Sequence, residues 1–146
     1  MKRMTTILIS ILFCTLLSAP PNNAGMIFES EPVNPFESLW KATCKVESNF
    51  NPFAIGDKHL KEWSYGIAQI RRVRLDDYFK RTGIRYTTGD MFDTVKSKQV
   101  YLYYASQFSP HQTEAVSRAW NGGNNWQQKR QTKKYYLKIE KALLSL

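Results

Sequence analysis

The carboxylate of Glu47 is the group in this sequence best placed to do chemistry. The residues spaced four, three and four apart around it are Phe36, Trp40, Thr43 and Glu47. Such spacing puts them on one face of a predicted helix. A carboxyl group at the edge of an apolar face has a raised pKa and keeps its proton near neutral pH, which suits a general acid. Taken alone, this stretch favours the commoner structural role of a half-buried glutamate paired with an Arg or Lys.

The ends of the helix that carries Glu47 are also encoded in the sequence. Asn34 is a suitable N-cap, Pro35 suits the first helical position, and Glu37 places a negative charge in the first turn. Pro52 disfavours a continuing helix, so the helix is predicted to end near residue 49. Glu47 therefore belongs to the last turn, next to a loop.

Two later blocks contribute amide side chains that suit a sugar ligand. Gln69 closes the block Ser64 to Gln69, and its amide offers both a donor and an acceptor, as a sugar hydroxyl or acetamido group needs. Asn121 precedes two glycines at a predicted helix end. Taken alone, Gln69 suits a surface position, and Asn121 is equally suited to capping the helix.

Together with Glu47-Ser48, these blocks resemble the lytic transglycosylases of the soluble (SLT) type, which have a goose-lysozyme-like fold. That family shows a Glu-Ser pair with a spaced Pro and Ala, a Gly-apolar-apolar-Gln block, an Ala-aromatic-Asn block, and a late Tyr after a Thr. The counterparts here are Glu47-Ser48 with Pro52 and Ala54, Gly66 to Gln69, Ala119 to Asn121, and Tyr135 after Thr132. The order and approximate spacing of four blocks make the match specific. The charged segment 58–63 departs from the family pattern.

The resemblance implies a reaction that uses one acid. Glycoside hydrolysis normally employs two carboxylates, and the blocks supply only Glu47. The resemblance implies that Glu47 protonates the glycosidic oxygen between N-acetylmuramic acid and N-acetylglucosamine, and then accepts the proton of the C6 hydroxyl as a 1,6-anhydro ring closes. The substrate-binding residues that it implies are Ser48, Gln69, Asn121 and Tyr135, with Tyr136 replacing Tyr135 if the last block shifts by one residue. The implied substrate is the glycan strand of peptidoglycan.

Two alternatives stay open at this point. One is a hydrolytic muramidase of the same fold, in which Asp57 or Glu62 positions a water molecule. The other is a non-catalytic basic helical protein, because a formal net charge of +9 attracts polyanions such as wall polymers or nucleic acid. With the resemblance included, nucleic acid is not expected as a partner, and a monomer is expected. Family members also serve secretion or conjugation machines.

The first residues are predicted to be an export signal. Lys2 and Arg3 precede a short apolar run from residue 7 to 17, and Ala19 or Ala24 offers a cleavage site, so residues 1–24 are predicted as a signal peptide and 25–146 as the domain. A retained N-terminal anchor is the alternative. The expected location is the periplasm or cell envelope, or the exterior.

The fold class predicted for the domain is all-α (mainly α), a single lysozyme-like helical domain with at most a small β-hairpin within residues 51–63. Helices are predicted near residues 66–70, 73–80, 93–108, 113–121 and 132–144, with Tyr101, Tyr104 and Phe108 in the core and Tyr103 exposed. Cys44 is predicted to be a small core residue, and neither metal nor cofactor is expected. Arg71, Arg72 and Arg74 form a basic cluster that suits a solvated face or a site for wall phosphate or carboxylate.

Overall fold

The computed structural model of the protein describes residues 34–146, so the predicted signal peptide lies outside the described residues. The helices are α1 (Glu37–Ser48), α2 (Arg72–Thr82), α3 (Thr94–Ala105), α4 (Thr113–Gly122) and α5 (Arg130–Leu143), with short 3-10 turns at Gly89–Phe92 and Trp126–Gln128. The strands are β1 (Ile55–Gly56), β2 (Ser64–Tyr65) and β3 (Ile70–Arg71). The predicted mainly helical, lysozyme-like fold class is confirmed. No helix in residues 34–146 has the length and apolar content needed to cross a membrane.

Helix α1 starts later than its sequence suggests. Asn34 accepts the backbone N–H of Phe36 on its side-chain oxygen at 2.9 Å, and its carbonyl accepts the N–H of Glu37 at 3.0 Å. These bonds close a turn ahead of the helix, so Phe36 is the N-cap and the predicted cap at Asn34 is wrong by two positions. The predicted end is confirmed, because Asn49 adopts the left-handed conformation that stops α1 just beyond Glu47.

The three strands form a small antiparallel sheet in the order β1-β2-β3. β1 and β2 make a hairpin, with Ile55 opposite Tyr65, but its second strand lies just beyond the predicted range 51–63, and β3 adds a strand that was not predicted. The short helix predicted over residues 66–70 is wrong. Gly66 and Gln69 both have positive φ values, 74° and 51°, and the Gln69 N–H donates to the Gly66 carbonyl, so this segment is a turn leading into β3.

The core lies among the helices and holds Glu47's helix in place. α1 and α4 both pack against α5, and Trp40 of α1, Tyr101 of α3 and Trp120 of α4 form a chain of rings with centroids 5.3 and 5.0 Å apart. Cys44 is buried, as predicted. Asp93 caps α3 by accepting the N–H groups of residues 95 and 96.

The aromatic residues of α3 divide differently from the prediction. Tyr101 is fully buried, whereas Tyr103, Tyr104 and Phe108 are all half-buried. Tyr103 is not the exposed residue of the set, because its ring packs edge-on against Tyr78 at 5.2 Å. Helix α3 ends at Ala105, so Phe108 belongs to the loop that follows.

The turn after β2 depends on Gly66, and this dependence can be tested. A Cβ atom at position 66 would lie 1.8 Å from the carbonyl oxygen of Met91, which the buried Ser97 hydroxyl holds at 2.7 Å. We therefore expect Gly66→Ala to lower the free energy of unfolding by about 3 kcal/mol or more. Gly83 also has φ 75° but would meet nothing within 4 Å. Gly83→Ala should therefore cost only about 1 kcal/mol in the same denaturation experiment. Equal costs would contradict this account of the turn.

Candidate active site

The end of α1, the sheet, α2, α3 and α4 surround a groove of about 1340 Å³. This volume exceeds that of an ordinary small-molecule pocket and suits an extended ligand. Its polar lining residues include Glu47, Asp57, Gln69, Arg71, Arg74 and Asn121. The aromatic residues of its lining are Tyr101, Tyr104, Phe108, Trp120 and Trp126. The groove thus combines polar groups with aromatic faces, as carbohydrate sites do.

Glu47 reaches the groove in a fixed orientation. The hydroxyl of Tyr135, a buried residue of α5, donates a hydrogen bond to Glu47 Oε1 at 2.8 Å. The packing of α1 on α5 brings these two residues together across 88 positions of sequence. The bond leaves the second carboxylate oxygen of Glu47 available to a ligand.

The surroundings of Glu47 favour its protonated form. Burial raises the pKa of this carboxyl to about 7, and the Tyr135 hydrogen bond opposes the rise. The charge of Asp57 raises the pKa further, whereas the charges of Arg74 and Arg71 lower it. A carboxyl group with a pKa near 7 is populated in both protonation states at neutral pH. Glu47 can therefore donate a proton and take one back.

Gln69 lies in the groove wall, but its amide is engaged within the protein. Its Nε2 donates to the carbonyls of Ala54 and Gly66 at 3.2 and 2.9 Å, and its Oε1 accepts the hydroxyl of Ser64 at 2.7 Å. These bonds tie the loop before β1 to the turn between β2 and β3. Gln69 therefore shapes the wall beside Glu47, and direct contact with a sugar stays a prediction.

Ser48 and Asn121 differ in how they relate to the groove. The Ser48 hydroxyl faces the carbonyls of Ile67 and Cys44 at 2.8 and 3.2 Å, and Ser48 is not among the groove-lining residues. It joins the end of α1 to the turn after β2. Asn121 is exposed on the groove near the end of α4. The structure thus brings Glu47, Gln69 and Asn121 to one groove, with Tyr135 behind Glu47 and Ser48 to the side.

The three arginines predicted as one basic cluster have three different environments. Arg71 pairs with Asp57 at 2.6 Å across the sheet, and Arg72 is exposed. Arg74 is half-buried in the groove wall, where its guanidinium lies over the rings of Tyr104 and Trp120. Of the three arginines, only Arg72 therefore lies on a solvated face, as the sequence suggested for the whole cluster. Residues 71 and 74 are three apart, which places them on one side of the chain, but the sequence carries no signal for the aromatic partners of Arg74.

Within residues 34–146, no group of three or more His, Cys, Asp or Glu side chains lies close enough together to hold a metal ion.

Comparison with known proteins identifies the family. The sequence model of the transglycosylase SLT domain matches residues 29–143, which is most of the chain. No curated protein and no solved structure matches the chain. Proteins with an SLT domain act on peptidoglycan outside the cytoplasm, as lytic transglycosylases. The match spans every helix of the described fold and every block on which the resemblance rested, and the chain therefore belongs to the transglycosylase SLT domain family.

Proposed function

We propose that this protein is a peptidoglycan lytic transglycosylase that cleaves the β-1,4 bond between N-acetylmuramic acid and N-acetylglucosamine and leaves a 1,6-anhydro end. The observation that carries the proposal is the state of Glu47. Its carboxyl group lies in a groove large enough for an extended ligand, accepts a hydrogen bond from the buried Tyr135, and has a pKa raised to about 7. Residues 1–24 are proposed as its signal peptide, and the folded domain as an exported monomer.

In the proposed first step, the protonated carboxyl of Glu47 gives its proton to the glycosidic oxygen as the bond from C1 of the muramic residue to that oxygen breaks. The acetamido oxygen of the same sugar stabilises the positive charge that develops at C1. In the second step, the Glu47 carboxylate takes the proton of the C6 hydroxyl, and O6 forms the new bond to C1. Water is not consumed, and Glu47 returns to its starting state.

The remaining predicted residues take supporting roles in this proposal. Asn121, exposed on the groove, binds the sugar next to the scissile bond. Tyr135 fixes the direction in which Glu47 delivers its proton. Gln69 and Ser48 hold the wall and the end of α1, so that their effect on the substrate passes largely through the backbone around Glu47.

The hydrolytic alternative needs a second carboxylate that is available to a water molecule. Asp57 lines the groove, but its Oδ2 accepts both Nε and Nη2 of Arg71 at 3.1 and 2.6 Å. Glu62 is exposed and is not among the groove-lining residues. Because Asp57 is already paired and Glu62 is elsewhere, the geometry favours the reaction that needs one acid. The buried acid of raised pKa in the groove wall favours a catalytic role over that of a non-catalytic binding protein.

Tyr135→Phe tests how Glu47 is tuned. Loss of the hydroxyl removes a bond that favours the carboxylate, so the pKa of Glu47 should rise further above 7 and the high-pH limb of kcat/KM should move to higher pH. Because the carboxyl group also loses the hydrogen bond that orients it, activity at pH 7 should fall roughly tenfold. Tyr136→Phe is the matched control, because among residues 34–146 the Tyr136 hydroxyl makes a hydrogen bond only to Glu140, at 3.5 Å. A shifted profile in the Tyr136 variant and not in the Tyr135 variant would contradict this assignment.

The proposed function itself is tested by incubating the purified chain with isolated sacculi. We expect soluble muropeptides to be released, at a rate proportional to enzyme concentration. Tight, salt-sensitive binding of DNA without any release of muropeptides would instead support the non-catalytic alternative.

A further inference from the structure

Arg74 is a charged residue of the groove wall that has no role in the proposed reaction. Its Nη2 donates to the Trp120 carbonyl at 2.6 Å, and its guanidinium carbon lies 4.4 Å from the Trp120 ring centroid and 4.7 Å from that of Tyr104. Two aromatic faces and one carbonyl thus hold the cation in a single place. A side chain fixed in this way recognises a ligand without losing further conformational freedom.

The positive charge of Arg74 has no carboxylate partner within residues 34–146. No ion pair forms with it at 4.0 Å or less, although its helix carries two acids close by. Asp77 accepts instead from Arg81 and from the Tyr104 hydroxyl, both at 2.8 Å. Two other acids of the groove wall also have partners, because Glu47 accepts from Tyr135 and Asp57 is paired with Arg71. Arg74, which has no carboxylate within ion-pair distance in the described part of the chain, can therefore pair with a ligand that carries the opposite charge.

The remaining N–H groups of Arg74 are accessible. Among its nitrogens, only Nη2 makes a hydrogen bond within residues 34–146. No buried side-chain nitrogen or oxygen in this part of the protein lacks a hydrogen-bond partner. Since Nε and Nη1 have none, they must be open to solvent, and Arg74 lines the groove. Arg74 therefore has donors that are still open to a ligand, and it belongs to the wall of the groove in which the glycan strand is proposed to lie.

We propose that Arg74 is a specificity residue that binds a carboxylate of the glycan strand as the strand lies in the groove. The inference rests on the proposed function, because it takes peptidoglycan as the ligand. The planar guanidinium matches a carboxylate, and the bond is charge-assisted. Two carboxylates of the polymer fit: the lactyl carboxylate of a muramic residue that has lost its peptide, and the free carboxylates of an attached stem peptide.

The test measures binding to the Glu47→Gln variant, so that the ligand is not consumed. One pair of probes is peptide-free glycan oligomers with free lactyl carboxylates and the same oligomers with these groups converted to methylamides. A second pair is peptide-bearing oligomers with free or amidated peptide carboxylates. We expect the Glu47→Gln parent to bind the free form of one pair about tenfold more tightly than its amide, and the pair that shows this preference identifies the source.

Adding Arg74→Gln should bring that affinity ratio to about one, mainly by weakening the carboxylate form. Arg74→Lys keeps the charge and should keep part of the ratio, which guards against a variant that merely fails to fold. Arg72→Gln is the matched control, because Arg72 is exposed on the same helix and is not among the groove-lining residues. It should leave the ratio unchanged.

A ratio near one for both pairs in the parent, or a ratio that survives Arg74→Gln, would overturn this inference. Neither result bears on the reaction itself, provided that the wild-type protein releases muropeptides from sacculi. Failure of that release would instead remove the proposed function.

Discussion

Glu47→Gln is expected to lower the turnover of peptidoglycan by roughly 10²–10⁴-fold while the protein stays folded, because an amide can neither donate nor accept the proton that the reaction moves. The amide oxygen of Gln can still accept the hydrogen bond of Tyr135, so the groove should keep its shape. The loss should therefore appear in kcat more than in KM. Release of muropeptides from sacculi measures it.

Glu62→Gln is the matched control for this experiment. It makes the same chemical change at an exposed glutamate that is not among the groove-lining residues, and it should leave turnover unchanged. Wall lysis that persists in the Glu47 variant at the wild-type rate would show that another group supplies the proton. Loss of lysis in the Glu62 variant would instead revive the hydrolytic alternative.

The substitution Glu47→Gln should also stabilise the protein at alkaline pH. Burial raises the pKa of Glu47 from 4.5 to about 7 in the folded state, so the folded protein binds this proton more tightly than the unfolded chain does. The stability that Glu47 contributes is therefore fully present below pH 4.5 and is lost as the pH rises through 7. At pH 8 the ionised carboxylate of Glu47 lowers the free energy of unfolding by about 3 kcal/mol, and Glu47→Gln removes this loss.

We therefore expect the variant and the wild-type protein to be about equally stable near pH 4 and the variant to be more stable near pH 8. Denaturant unfolding at both pH values measures the difference, and titrations of all other groups cancel in the comparison. Glu62→Gln should show no such pH-dependent gain. A variant that is equally stable or less stable at pH 8 would contradict the raised pKa of Glu47.

The sequence was sufficient to predict the helical fold class and the position of Glu47 on its helix. The apolar spacing around Glu47 and the proline after it are local signals, and both were borne out by α1 and its end at Ser48. The contact of Tyr135 with Glu47 followed only from the resemblance to the SLT family. No local pattern could reveal a bond between two residues so far apart in the chain.

The errors arose where tertiary contacts determine the local structure. Residues 66–70 have the composition of a helix start, yet Gln69 adopts a positive φ because its amide bonds three neighbouring groups, from Ala54, Ser64 and Gly66. The sequence around Arg74 is typical of a surface cation. Arg74 belongs to the groove wall because its guanidinium packs on the rings of Trp120 and Tyr104, which lie on other helices. Long-range packing of this kind overrides the local pattern.

The most direct test of the one-acid mechanism is the mass of the products formed from sacculi in water enriched in the heavy oxygen isotope. If Glu47 returns as the base toward the C6 hydroxyl, the muramic ends will be one water lighter than reducing ends and will contain no heavy oxygen. Reducing muramic ends that carry the heavy isotope would contradict this mechanism and would establish hydrolysis in the same groove.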